Sequence, residues 1–216
     1  MTSACTKAGR PPESVRLLAV SKTFDADAVA AAHAAGLEAF GENYVQEGVD
    51  KVVALAALGL EWHFIGPLQS NKTRPVAEHF AWVHSIDRLK IAERLSAQRP
   101  AHLPDLQVCL QVNISGESSK SGVESAAIVD LAAAVAALPR LKLRGLMTIP
   151  QPADSLEAQR APFRELRLLL DQLNARGLGC DTLSMGMSAD LEAAILEGAT
   201  IVRVGTAIFG IRTKPQ

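Results

Sequence analysis

The 216-residue chain carries 22 basic and 23 acidic side chains, a net charge of −1, and is 48% hydrophobic but only 4% aromatic. No basic block with interleaved aromatics marks a nucleic-acid surface, and no apolar run approaches the roughly 20 residues that span a bilayer. Cys5, Cys109 and Cys180 are dispersed, without metal-ligand spacing or a disulfide framework, so a reducing, cytoplasmic setting is expected.

Residues 1–13 lack an apolar stretch and contain Pro11 and Pro12, which is not the pattern of a signal peptide. Strand-type runs are then predicted over residues 16–21, 39–42, 61–65, 82–86, 107–114, 142–149, 182–185 and 201–204. Helical patterns lie between them. Asn43, with Gln46 three residues on, resembles a capping box before the stripe Val45, Val49, Val52, Val53 and Ala56. Asp87 is placed to cap a helix bearing Leu89, Ala92 and Leu95. Phe163, Leu166, Leu170 and Leu173 stripe the longest helix, which Gly177 closes, and Gly36 and Gly198 close two others. Ser188 is expected to cap a helix over residues 189–197.

Regular βα alternation implies a parallel sheet with helices outside. Eight units favour a closed α/β structure, a single (β/α)8 TIM-type barrel domain over residues 1–216, in a chain somewhat short for that fold. The open doubly wound alternative lacks a Gly-x-Gly-x-x-Gly after the first strand.

In such barrels chemistry sits where strands end and βα loops begin. Lys22 ends the first apolar run, and a partly desolvated strand-end amine is a candidate carbonyl trap. A solvated loop lysine is the plainer alternative. Ser188, Gly205 and Thr206 fall in the loops after strands seven and eight, where barrels often bind phosphate. Asp190 and Glu192 nearby suit such a site only with their side chains turned away. An imine-forming lysine with a phosphate cradle suggests a phosphorylated aldehyde, of which pyridoxal 5′-phosphate (PLP) is the commonest. Arg203 shares a strand face with Gly205, so it either points into the barrel toward a ligand or pairs with a strand-end carboxylate such as Glu42. His63 has no second histidine or carboxylate at ligand spacing and is expected to be a hydrogen-bonded core residue. Lys120 belongs to a polar loop over residues 113–122, solvated or reaching the barrel mouth.

The ordered segments Ala19-Val20-Ser21-Lys22-Thr23, Phe40-Gly41-Glu42-Asn43-Tyr44, residues 63–72 (HFIGPLQSNK), Arg144-Gly145-Leu146-Met147, Ser184-Met185-Gly186-Met187-Ser188 and residues 203–210 (RVGTAIFG) resemble the YggS/PROSC family. The resemblance covers the chain from Val15 onward. It implies the barrel of the alanine racemase N-terminal domain, with PLP on Lys22 as an internal aldimine. It also implies phosphate binding by Ser188, Gly205 and Thr206, Arg203 at the pyridine nitrogen, and Asn43 and Met147 lining the pocket. The implied role is PLP homeostasis, with PLP-dependent apoenzymes as candidate recipients and no robust catalysis; a monomer is expected, because a barrel without the racemase's second domain lacks that dimer's main contacts. One departure is a shortened segment over residues 1–14, where a longer leading helix is expected to be largely absent.

The competing enzyme readings are an amino-acid racemase, or related PLP enzyme, and a Schiff-base aldolase using Glu42. Racemisation needs a base on each face of the substrate. Alanine racemase takes its second base, a tyrosine, from an added C-terminal domain, whereas this sequence stops at Gln216 and has Tyr44 alone, outside the barrel.

Overall fold

A computed structural model describes residues 1–115 and 121–210. Its strands are β1 (Arg16–Val20), β2 (Ala39–Glu42), β3 (Glu61–Phe64), β4 (Trp82–Ile86), β5 (Leu106–Gln111), β6 (Leu141–Met147), β7 (Thr182–Ser184) and β8 (Ile201–Val204). They pair in chain order and close on themselves, with β8 parallel to β1 in the register Leu18 to Arg203. This is the expected (β/α)8 barrel.

The helices are α1 (Thr2–Lys7), α2 (Ala26–Ala34), α3 (Val45–Ala54), α4 (Thr73–His79), α5 (Leu89–Gln98), α6 (Ile128–Ala136), α7 (Leu156–Ala175), α8 (Leu191–Leu196) and α9 (Thr206–Phe209). Side chains alternate across each strand. One set, including Phe40, Phe64, Val83, Val202 and the α7 residues Phe163 and Leu166, builds the layer between strands and helices. The other set, Leu18, Val20, Ile65, Trp82, Cys109, Met147 and Ile201, packs as a separate cluster inside the barrel. Ile201 lies two residues before Arg203, so the alternation carries Arg203 to the inner face, while Lys22 follows the end of β1 in the turn at the barrel mouth.

Several local expectations are corrected. Within the shortened leading segment, residues 2–7 form one short helix, α1, which buries Ala4 and Cys5. Lys7 pairs with Glu192 at 2.8 Å and Arg10 donates to the Ile195 carbonyl at 3.1 Å, so α1 is anchored on α8. Tyr44 precedes α3 with no side-chain cap, and Gln46 donates to Asp50 instead of completing a box with Asn43. Asp87 does not cap α5; it pairs with Arg88, which takes the cap position. Helix α8 starts at Leu191, so Ser188 lies in the preceding turn and is freed from capping. The α3 stripe is only partly buried, since Val53 is 62% exposed. That helix instead turns Gly48 and Lys51 inward. A β-carbon on Gly48 would stand 2.7 Å from Phe80 Cζ, so the residue there must be glycine for α3 to sit this close.

Candidate functional site

The carboxyl ends of the strands surround a cavity of about 290 Å³ lined by Lys22, Asn43, Ser188, Arg203, Gly205 and Thr206, with Val20, Ile65, Ile149, Met187 and Ala189 as its apolar wall. Six of the seven residues read from the sequence therefore meet in one place. Met147 does not line it: it is fully buried in the inner apolar cluster together with Val20 and Ile65. Lys120 falls outside the described residues. A larger cavity of about 600 Å³ opens at the other end of the barrel, beside Arg16, Glu61, Trp82 and Arg144. Its ion pairs, Arg16 with Glu61 and Arg144 with Asp181, satisfy one another.

Lys22 is half-buried at the end of β1. The backbone around it is held on both sides. Ser21 Oγ donates to Glu42 Oε1 at 2.6 Å, and the Thr23 N–H donates to Glu47 Oε1 at 2.5 Å. Thr23 sits at φ 70°, in the left-handed region that β-branched residues rarely adopt. Lys51 Nζ joins the two carboxylates, donating to Glu42 at 2.8 Å, to Glu47 at 2.6 Å and to the Ser21 carbonyl at 2.8 Å. Burial raises the Glu42 carboxyl above its ordinary pKa, although Lys51 and Ser21 pull the other way.

The loop after β7 is shaped by Gly186 at φ 92°, where a β-carbon would lie 2.5 Å from that of Ala194. Asp190 Oδ1 accepts from the Met187 N–H at 2.6 Å, and Glu192 is occupied by Lys7. Glu192 is thus engaged away from Ser188, whereas Asp190 stays beside it, on the neighbouring N–H, and its charge is felt by Arg203. Ser188 and Thr206 are exposed, and Thr206 opens the short helix α9, in which the Ile208 and Phe209 N–H groups bond the Gly205 carbonyl.

Arg203 is buried, 3% exposed, in the floor of the cavity. Its Nη1 donates to the Ser184 carbonyl at 2.7 Å and to Ser184 Oγ at 2.8 Å, and its Nη2 donates to the Thr148 carbonyl at 2.9 Å. Glu42 is not its partner, because that carboxylate lies outside the barrel wall with Ser21 and Lys51. Burial lowers the Arg203 pKa to about 10, which still leaves it charged at neutral pH. His63 is a hydrogen-bonded core histidine, but it does have a second histidine and a carboxylate beside it: its ring nitrogens meet His84 at 2.8 Å and Glu61 at 2.7 Å. His84, Ser184, Thr148 and Asp190 were not singled out from sequence for these roles. The available signal was polar residues at inward strand positions 63, 84, 184 and 203.

Among the described residues, no cluster of His, Cys, Asp or Glu is arranged to hold a metal ion. None of their helices is long and apolar enough to cross a membrane.

Fold and site together define a closed parallel barrel with a strand-end lysine over a buried arginine, and a small open cradle beside them. Residues 4–213 match the alanine racemase N-terminal domain. The chain belongs to that family and, within it, to the pyridoxal phosphate homeostasis proteins. It is 66% identical over 209 residues to the pyridoxal phosphate homeostasis protein of Pseudomonas aeruginosa, covering 97% of this chain and 90% of that one. The corresponding protein of Escherichia coli K12 is 58% identical over 215 residues, covering 98% and 92%. PipY of Synechococcus elongatus, solved with PLP bound, superposes with a TM-score of 0.84 at 38% identity, covering 96% of this chain and 98% of that one. Alanine racemase from Corynebacterium glutamicum shares the fold, with a TM-score of 0.71 at 21% identity over 97% of this chain and 59% of that one.

Proposed function

We propose that this protein binds PLP in the strand-end cavity and serves PLP homeostasis by holding the cofactor reversibly on Lys22. The observation that carries the reading is the convergence on one cavity of a half-buried amine, a hydroxyl and glycine cradle, and a buried guanidinium. The residues present fit the group. Asn43, on the cavity wall, has a buried amide oxygen with no hydrogen-bond partner among the described residues, a polar atom that awaits a ligand. The cavity volume, about 290 Å³, is at the small end of ligand pockets.

When bound, PLP supplies a reactive aldehyde and, in enzymes, an electron sink. Lys22 is the residue whose Nζ would hold the aldehyde end of the cofactor. Ser188 and Thr206 hold the phosphate from the exposed side. Arg203 meets the ring nitrogen with a donor and, being charged, disfavours a proton there. Asn43 orients the ring from the wall. Reduction of the PLP-loaded protein with borohydride should fix the label on the peptide containing Lys22. Label on another lysine with Lys22 unmodified, or no uptake of PLP, refutes the assignment.

The role we assign is carrier, without amino-acid turnover. Beside Lys22, Arg203 is the one titratable side chain among the described residues that line the cavity, and a guanidinium does not accept a proton. Tyr44 is 56% exposed and is not among the lining residues. Loss of the α-proton of alanine to solvent deuterium should therefore run far below typical enzyme rates, roughly 1–10³ per second. Exchange within that range would establish an enzyme instead. The exposed phosphate cradle also leaves the anionic end of the ligand open to solvent, which suits loading, release and transfer to recipient apoenzymes.

A further inference from the structure

A polar chain runs through the inside of the barrel beneath the cavity. It starts at Arg203, whose Nη1 donates to Ser184 Oγ at 2.8 Å. Ser184 Oγ lies 2.7 Å from His84 Nδ1, His84 Nε2 lies 2.8 Å from His63 Nδ1, and His63 Nε2 lies 2.7 Å from Glu61 Oε1. Glu61 is held in turn by Arg16 at the opposite end of the barrel. Ser184, His84 and His63 are fully buried, and they come from β7, β4 and β3.

The chemistry of the two ends sets the direction of every bond between them. An arginine can only donate, and an ionised carboxylate can only accept. Ser184 Oγ, accepting from Arg203, has one proton, and it goes to His84 Nδ1. His84 is then the Nε2–H tautomer and donates to His63 Nδ1. His63 is the Nε2–H tautomer as well and donates to Glu61. Burial, reinforced at His84 by the nearby cations, lowers both histidines below their ordinary pKa and keeps them neutral. The His63 ring is fixed in plane by Trp82, stacked at 5.2 Å and 6°, and Trp82 is backed by the Arg144 guanidinium at 5.0 Å.

We infer that His84, with Ser184 before it and His63 and Glu61 behind it, is a positioning residue for Arg203. This one-directional chain fixes the guanidinium under the cavity, and its bearing on the ligand rests on Arg203 meeting PLP as proposed above. The logic is that of other buried networks. Ser184 with its proton committed to His84 must present lone pairs to Arg203, whereas Ser184 without that acceptor is free to turn its proton toward the guanidinium.

The test reads the chain directly in the ligand-free protein. Imidazole 15N shifts should report neutral Nε2–H tautomers at both His63 and His84 near neutral pH. His84→Leu should weaken PLP binding about tenfold, the scale of one misplaced hydrogen bond to a charged group, and shift the absorption maximum of the bound cofactor. His84→Gln, whose carbonyl accepts from Ser184 and whose amide donates to His63, should restore both. An Nδ1–H tautomer or an imidazolium at either position overturns the inference. So does His84→Leu with wild-type affinity and spectrum. If His84→Leu does not fold, the wild-type tautomers and the His63 tautomer in His84→Gln decide. Because the tautomers are read without ligand, a wrong tautomer defeats the chain even where the Lys22 label is right, and correct tautomers uphold it even where the label is wrong.

Discussion

Replacing Lys51 with methionine should destabilise the fold by about 3–5 kcal/mol, the usual consequence of removing one partner of a buried ion pair. For a chain of this length that is a fall in Tm of roughly 6–20 °C. The cause is Glu42, which is wholly buried and takes its charged hydrogen bond from Lys51 at 2.8 Å. Its second oxygen, Oε2, already has no partner among the described residues. Without Lys51 the carboxylate is left among Phe80, Gly48 and the strand wall with only Ser21 to solvate it. The pH dependence follows from the sign of the Glu42 shift. Its folded pKa is raised above the unfolded value, and losing Lys51 raises it further. A raised carboxyl favours the folded state while protonated, so the deficit of the variant should shrink as pH falls toward the ordinary glutamate value and widen as pH rises through the folded pKa. Denaturant unfolding of Lys51→Met at several pH values measures this. Adding Glu42→Gln should recover much of the loss, since the stranded charge is then gone. A Lys51→Met protein as stable as wild type at pH 8 would show that the ion pair adds nothing.

The second large effect is on the ligand. Removing both hydroxyls with Ser188→Ala and Thr206→Val should weaken PLP binding by about 2–4 kcal/mol, taking hydrogen bonds to a charged group at about 1.5–3 each with incomplete additivity. That corresponds to a fall in affinity of roughly 30- to 1000-fold. Both residues are exposed at the cavity rim, so the fold should be unaffected. Binding of unphosphorylated pyridoxal, which the cradle does not touch, should change little in the same variant. Equal affinity of the wild-type protein for the two ligands would rule out the phosphate assignment at Ser188, Gly205 and Thr206.

The strands, their order and the strand-end ring were legible in the sequence because they follow from local alternation and from one rule about where barrels place their loops. Lys22 stood out because a charged residue directly follows an apolar run, and Arg203 because its inward face follows from a period of two. What escaped was set by which faces meet in three dimensions. Glu61 lies only two residues from His63, Glu42 and Lys51 are nine apart on different elements, and Ser184 reaches His84 across 100 residues. Spacing along the sequence does not say which of these side chains turn toward each other. The missed caps have a related cause. Asn43 and Ser188 carry side chains of capping type, but α3 and α8 start one and two residues later than those side chains predict. The turn chemistry was therefore real, and its object was the cavity rather than the helix.

The left-handed turn at Thr23 gives Lys22 an unusual standing. Its two chain neighbours are each tied to a carboxylate of α3 or β2, and Lys51 ties those carboxylates to each other. Fixing one residue's backbone ordinarily costs about 1–2 kcal/mol of entropy. At Lys22 that ordering is complete when the protein folds, not when a ligand arrives. On the proposed reading, capture at such a preorganised amine would leave chiefly the side-chain rotamers to order.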